Sequence, residues 1–522
     1  MGSITSPRTI VSNARIFTSE PNADELINGC LIIRDGKIDY VGDEAAEEVE
    51  FGGSLEKLDL IAYKTLDDIR AQIRQFAKDS PNAPRLMCKG WLQISVPGTA
   101  MASMLDDIDP RPIYVEAMDL HSMWLNTAAL VESGIMATEV DPDGGKIHRD
   151  AEGRPSGLVE EGPLVTMIWP FLADALSKDE KHVLLQKAFE AYTAAGYTGV
   201  IDMAMDSSIW SAMELYRSQN ETPFHIAAHW LVPYSDDTAT IDKHLQKAIE
   251  MNGRYHPSTS PDFCIVGIKI IGDGTVDGCT AGLSEPYNTS TAQPPTPVDP
   301  IWPYAQLKRL VHAADAADLQ IAIHAIGDKT INDAINALAS LPPNPPYVRR
   351  HRIEHLELTS PSDARRLGEL GIIASVQPVH SDPVLFRAWP TLIGPHRCKR
   401  AFAYKEFLDG GATLALGTDA PTAPHWPLRN LYNATTRKSA LDLECKDTVN
   451  EEFRLGLADA VRGVTSGAAY SRRADGWTGR LKVGASADFV LVELGGWGGE
   501  EMIRGRVLET WFRGKRVYDS KA

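Results

Sequence analysis

Four side chains in this sequence are of the right types to bind one cation together. They are Lys269 in IVGIKIIGDG, His324 in IAIHAIGD, His355 in RIEHLEL and Asp419 in LALGTDAP, each at or near the end of an apolar, β-prone run. An ammonium inside an apolar strand is costly, so such a lysine is paired, neutralised or chemically modified. Carboxylated by CO₂, it becomes an anion able to bridge two cations. Two imidazoles with carboxylate-type oxygens suit zinc or a similar divalent ion. That ion lowers the pKa of bound water towards ~7, and Asp419 can pass the released proton to a leaving group. Each residue also has a plainer reading. A strand histidine is usually a hydrogen-bonded core residue, Thr418-Asp419 is good helix-capping chemistry, and Lys269 has Asp273 and Asp277 close by for an ion pair. Four unlike residues at one relative place on four strands favour the shared site.

The elements that must position these residues form a regular alternation. Helical patterns fall at 177–194, 240–251, 304–317, 361–369, 400–409 and 455–469. Apolar strand patterns fall at 199–204, 224–232, 265–271, 320–327, 352–356, 373–378 and 413–419. Near-continuous apolar strands separated by helices indicate a parallel sheet covered on both sides, and this many repeats favour a closed β/α barrel with reactive side chains at the C-terminal strand ends. Seven strands are legible where such a barrel takes eight. Short β-rich runs at both ends (9–20 and 29–43, 480–494 and 506–519) carry the turns Asp35-Gly36-Lys37 and Arg513-Gly514-Lys515. We therefore expect residues 1–50 and 476–522 to form one small composite β-domain, and 51–475 to form the barrel. An inserted subdomain at about 54–176 is expected to supply a lid or wall.

Composition narrows the function. The chain has 522 residues, 43% hydrophobic and 23% charged, which is ordinary for a globular protein. A net charge of −18 repels phosphate backbones and anionic lipids, so neither nucleic acid nor membrane is an expected partner. No run reaches the ~20 apolar residues of a membrane span. The N-terminus lacks a secretory pattern, and six scattered cysteines without C-x-x-C spacing fit reduced thiols. A cytoplasmic enzyme acting on a small molecule is expected, and a homodimer is allowed. The absence of Gly-x-Gly-x-x-Gly after the early strands argues against dinucleotide binding.

The motifs taken in order resemble the amidohydrolase superfamily, within it the branch of N-substituted formamide deformylase and the YtcJ-like proteins. The resemblance rests on Arg34-Asp35-Gly36-Lys37-Ile38, Asp119-Leu120-His121-Ser122-Met123-Trp124-Leu125-Asn126 and Gly157-Leu158-Val159-Glu160. It continues through Lys269 with Asp273-Gly274, His324-Ala325-Ile326-Gly327-Asp328, Arg352-Ile353-Glu354-His355, Ser375-Val376-Gln377-Pro378, Asp419-Ala420-Pro421 and Val483-Gly484-Ala485-Ser486-Ala487-Asp488. It implies hydrolysis of non-peptide carbon–nitrogen bonds by metal-activated water, with Lys269 the carboxylated bridging lysine. His324 and His355 would bind the second metal, and Asp419 would bind the first and act as acid and base. His121, Trp124 and Gln377 would line the substrate pocket. Two other readings stay open: a non-catalytic relative that binds a small molecule, and a superfamily decarboxylase or isomerase.

The sequence departs from that pattern at one place. Such enzymes carry His-x-His on the first barrel strand, where alternate residues share a face and reach one ion. Among the fourteen histidines here no two are separated by one residue. His225 with His229, and His351 with His355, lie four apart, which puts the second ring ~13 Å along a strand. The resemblance breaks off in the acidic run Glu44–Glu50 and resumes at Phe51, as though a segment were cut out, which also accounts for the missing eighth strand. A carboxylated Lys269 with His324 and His355 can still hold a single ion, so we expect weak or no hydrolysis from this form.

Overall fold

The computed structural model describes residues 8–21, 27–42, 57–288, 296–343 and 348–521. Its central sheet has seven parallel strands hydrogen-bonded in chain order: Gly199–Met205, His225–Leu231, Phe263–Ile271, Gln320–Ala325, Arg352–His355, Ile373–Val376 and Leu414–Leu416. These are the seven apolar runs expected from the sequence. Ile268, Ile270, Ile321, Ile323 and Ile353 are fully buried against the surrounding helices, each contributing ~1.5–3 kcal/mol of transfer free energy. Asp202 of the first strand and Leu416 of the last line one cavity, so the sheet is curled. Among the described residues nothing pairs with the free edges of Gly199–Met205 and Leu414–Leu416. The Glu50–Phe51 junction, where the sequence places the missing strand, lies outside the described residues.

The expected helices are present. Ser177 and Glu180 form a reciprocal capping box that starts Lys178–Ala194, Asp237 caps Thr238–Arg254 and Ser360 caps Pro361–Glu369. Tyr304–Ala316 and Tyr404–Asp409 also form, while 455–469 becomes Leu457–Arg462 and Ala468–Ser471 around a widened turn at Gly463–Gly467. Ser207–Gln219, Asp328–Ala339 and Pro427–Thr436 go beyond the expected set.

The inserted region folds as a six-stranded mixed sheet that includes the expected hairpin Gly145–Arg149/Pro155–Glu161 and is flanked by the helix Leu66–Asp79. The chain ends contribute two three-stranded antiparallel sheets. Ile38 N–H donates to the Ala485 carbonyl and Gly514 N–H to that of Ala487, while Leu31, Ile33 and Ile38 share a core with Ala487 and Phe489. The turns Asp35-Gly36 and Arg513-Gly514 each have two positive φ values, the geometry of a two-residue hairpin. They abut: a Cβ on Gly36 would come within 2.8 Å of the Arg513 carbonyl oxygen.

At the base of the barrel His225 is wedged between carboxylates. Its Nδ1 lies 3.0 Å from Asp262 and its Nε2 lies 2.8 Å from Asp488, with Trp477 and Phe512 edge-on to the ring. Asp488 also accepts hydrogen bonds from Thr478, Ser486 and the Arg513 N–H. The clamp ties the second barrel strand to the C-terminal β-sheet.

Candidate active site

Strand register sets the heights of the site residues. Lys269 stands beside Ala322, Ile271 beside His324, and Ala325 beside His355. Side chains alternate across a strand, so Arg352 and Glu354 point inward with Lys269, and His355 would point to the helix side. The backbone overrides this: φ is 74° at His355 and 55° at Leu356, which turns the imidazole back towards the interior. Asp419 is also left-handed, at 58°. Strain of this kind is held in place only where the surroundings over-determine it, commonly at functional sites.

The result is a row of four imidazoles. Ring centroids are 5.0 Å apart for His121 and His324, 4.3 Å for His324 and His355, and 5.7 Å for the nearly parallel pair His355 and His380. His380 Nδ1 is 3.2 Å from Glu357, and its Nε2 is 3.9 Å from the Asp419 carboxylate. One donor atom each from His355, Glu357 and His380 lies within 4.8 Å of the other two. His121 is held by Glu161 at 2.8 Å, both residues belonging to the inserted subdomain.

Charge is graded along the row. Burial, then the neighbouring His121 and Lys269, hold His324 well below its ordinary pKa, and burial with His324 and Lys269 does the same to His355. Both rings are therefore neutral, the state a metal ligand requires. Burial also opposes charge on His121, but the charge and hydrogen bond of Glu161 outweigh it and raise the pKa to about 9. His380 is likewise raised against burial, by Glu357 and then Asp419. Burial lowers Lys269, while Glu354 and Asp419 work in the other direction. Asp273 bonds the N–H groups of Gly282, Ile326 and Gly327 instead of the lysine, and Asp277 accepts from the Trp389 indole.

Six of the seven residues singled out from the sequence, Lys269, His324, His355, Asp419, His121 and Gln377, line one cavity of about 1480 Å³. Trp124 does not: it is fully buried in the core of the inserted subdomain, packed on Trp91 and donating to the Met101 carbonyl. A large ring with one donor was satisfied more completely in that core than at a wet surface. Two buried polar atoms among the cavity residues lack partners, His355 Nδ1 and Gln377 Oε1. The sequence reading missed His380, Glu357 and Glu161. His355-x-Glu357 spacing and a histidine three positions after Gln377 were signals for two of them; no local signal marks Glu161, which reaches His121 from 40 positions away.

The sequence profile described as the amidohydrolase family matches residues 51–518. Protein LONG AFTER FAR-RED 3 of Arabidopsis thaliana is 27% identical over 98% of this chain and 91% of its own length. The putative amidohydrolase YtcJ of Bacillus subtilis is 27% identical, with 84% of this chain and 80% of that protein covered. A crystal structure of an uncharacterized metal-dependent hydrolase from Pyrococcus horikoshii shares the fold, with a TM-score of 0.66 over 95% of this chain and 96% of that one at 19% identity. The profile spans most of the sequence: the chain belongs to the amidohydrolase family and is a hydrolase enzyme.

Proposed function

We propose that the chain hydrolyses a carbon–nitrogen bond of amide or formamide type in a small molecule, with a divalent ion, zinc by its donor types, at the row of imidazoles. The carrying observation is the convergence of His324, His355, Lys269 and Asp419 on one cavity at the C-terminal ends of parallel strands. The donors fit such an ion. His324 and His355 are kept neutral, Glu357 supplies a carboxylate oxygen beside His355, Asp419 faces His380, and His355 keeps a buried nitrogen without a partner. His324, His355 and a carboxylated Lys269 would hold it, and when bound it would acidify a water molecule and polarise a carbonyl.

The protein's own groups have distinct tasks. Asp419, steadied by the Thr422 hydroxyl at 3.1 Å, is placed to take a proton and return it to the departing nitrogen. His121, charged and anchored by Glu161, can donate to the oxygen that gains charge. Gln377 offers its free carbonyl to a substrate N–H. The inserted subdomain, which brings in His121 and Glu161, closes one wall against water.

Turnover is expected to be weak, because the sequence has no His-x-His pair for the first strand. The test is to load purified protein with zinc, remove excess, and assay N-substituted formamides and simple and cyclic amides. Slow, chelator-sensitive hydrolysis, raised by inserting a His-x-His strand between Glu50 and Phe51, is the expected result. No metal retention and no turnover in either form would overturn it.

A further inference from the structure

Arg437 is a buried charge for which the hydrolase reading has no task. The residue is 0% exposed and is one of the largest wholly buried side chains. Its backbone is fixed on every side. Arg437 ends the helix Pro427–Thr436 with a left-handed φ of 61°, its N–H donates to the Asn433 carbonyl, and its carbonyl accepts from the Val449 N–H. In the side chain Nε donates to the Val449 carbonyl at 2.8 Å. Nη1 and Nη2 are buried and reach no hydrogen-bond acceptor among the described residues.

The neighbouring rings do not make up the difference. The guanidinium carbon lies 4.9 Å from the Tyr404 ring centre and 5.8 Å from that of Phe402, which favours a cation through the ring faces. That contact leaves the in-plane N–H groups of Nη1 and Nη2 uncapped. Burial lowers the pKa of the group, while Tyr404 and then Glu452, exposed at the surface, act the other way. A buried cation with unmatched hydrogens is strongly unfavourable, and arginine does not escape by releasing its proton.

We propose that Nη1 and Nη2 of Arg437 bind a small monovalent inorganic anion, chloride, as a buried structural site of the barrel. One positive charge sets the valence: a sulfate or phosphate would bury surplus negative charge against Phe402 and Tyr404. The site lies behind the substrate pocket and braces it. The Tyr404 hydroxyl donates to the Gln377 carbonyl at 3.3 Å, and Gln377 lines the cavity. Asn430, on the helix that Arg437 ends, accepts from the Val379 N–H and donates to the Gly417 carbonyl. It thereby joins the segments that follow two neighbouring strands. The inference goes beyond the hydrolase reading and does not depend on it.

The test uses the full-length protein without metal or substrate. Crystals grown in gluconate and soaked in bromide should show an anomalous peak within hydrogen-bond distance of both Arg437 Nη atoms. In solution, exchanging gluconate for chloride at constant ionic strength should raise the unfolding midpoint. The gain should grow with the logarithm of chloride concentration, as linkage to a ligand of the native state requires. Arg437→Met removes the charge and should abolish this dependence. A protein acceptor or a water at Nη1 and Nη2, with no bromide peak, would overturn the proposal. So would bromide there with a midpoint indifferent to chloride, which would mean an adventitious ion only, or an unchanged chloride response in Arg437→Met. If that variant does not fold, the bromide position and the chloride response of the native sequence decide by themselves. Neither readout involves turnover, so failure here leaves the hydrolase reading standing.

Discussion

His225 at the base of the barrel and His355 at its mouth are both almost fully buried, 1% and 5% exposed, yet they are treated in opposite ways. At the base both ring nitrogens face carboxylates; Asp488 is bonded in turn by Thr478, Ser486 and the Arg513 backbone, and Asp262 is paired with the Arg513 guanidinium. At the mouth His355 lies edge-on to His324 and stacked on His380, sits on left-handed backbone, and leaves Nδ1 without a partner. A saturated histidine stabilises the fold. On the function proposed above, one left short holds open a place for a ligand, and folding stability is given up for it.

Substitutions should separate the two. His225→Ala leaves Asp262 and Asp488 without their shared partner and should cost about 3–5 kcal/mol in denaturant unfolding, with zinc affinity at the mouth unchanged. His355→Ala should do the reverse: zinc binding by calorimetry weakens by about a hundredfold or more, while the unfolding midpoint hardly moves. Equal effects of both on stability would erase the contrast.

The base also predicts a pH response. The His225 hydrogen bond holds Asp262 below the usual carboxylate range, and Asp488 is held below it too, its bonds to His225 and Thr478 overcoming burial. A carboxylate whose folded pKa is depressed contributes stability above its unfolded value of about 4 and loses it as pH falls through the folded value. Melting temperatures followed from about pH 6 to about pH 3 should therefore fall more steeply in the native sequence than in His225→Ala. Parallel curves would show that the clamp contributes nothing to acid stability. The smallest effect is expected at Trp124→Phe, about 1 kcal/mol of stability for its bond to Met101, with ligand binding at the cavity unaltered.

Much of this arrangement was legible from residue types. Lys269 stood out because burying an ammonium in IVGIKII is costly, and the seven strands because their apolar runs are nearly unbroken. What escaped was whatever leaves the strand period. Glu357 and His380 sit beyond the strand ends, where no alternation predicts direction, and His355 reaches the site through a positive φ that no pattern of residue types reports. Trp124 shows the opposite error. Its motif placed it near the pocket, but which way an indole faces depends on packing partners such as Trp91, a distant stretch of sequence.

The interlocked hairpin turns bear on how the polypeptide is made. The Ser19 hydroxyl bonds Ser466, 447 positions later, and Gly36 nests against Arg513. At roughly 5–20 residues per second, the N-terminal strands leave the ribosome about 20–90 s before their partners exist. For that interval their own three-stranded sheet has no C-terminal sheet to pack its apolar residues against, so these strands are among the last elements to complete their native contacts.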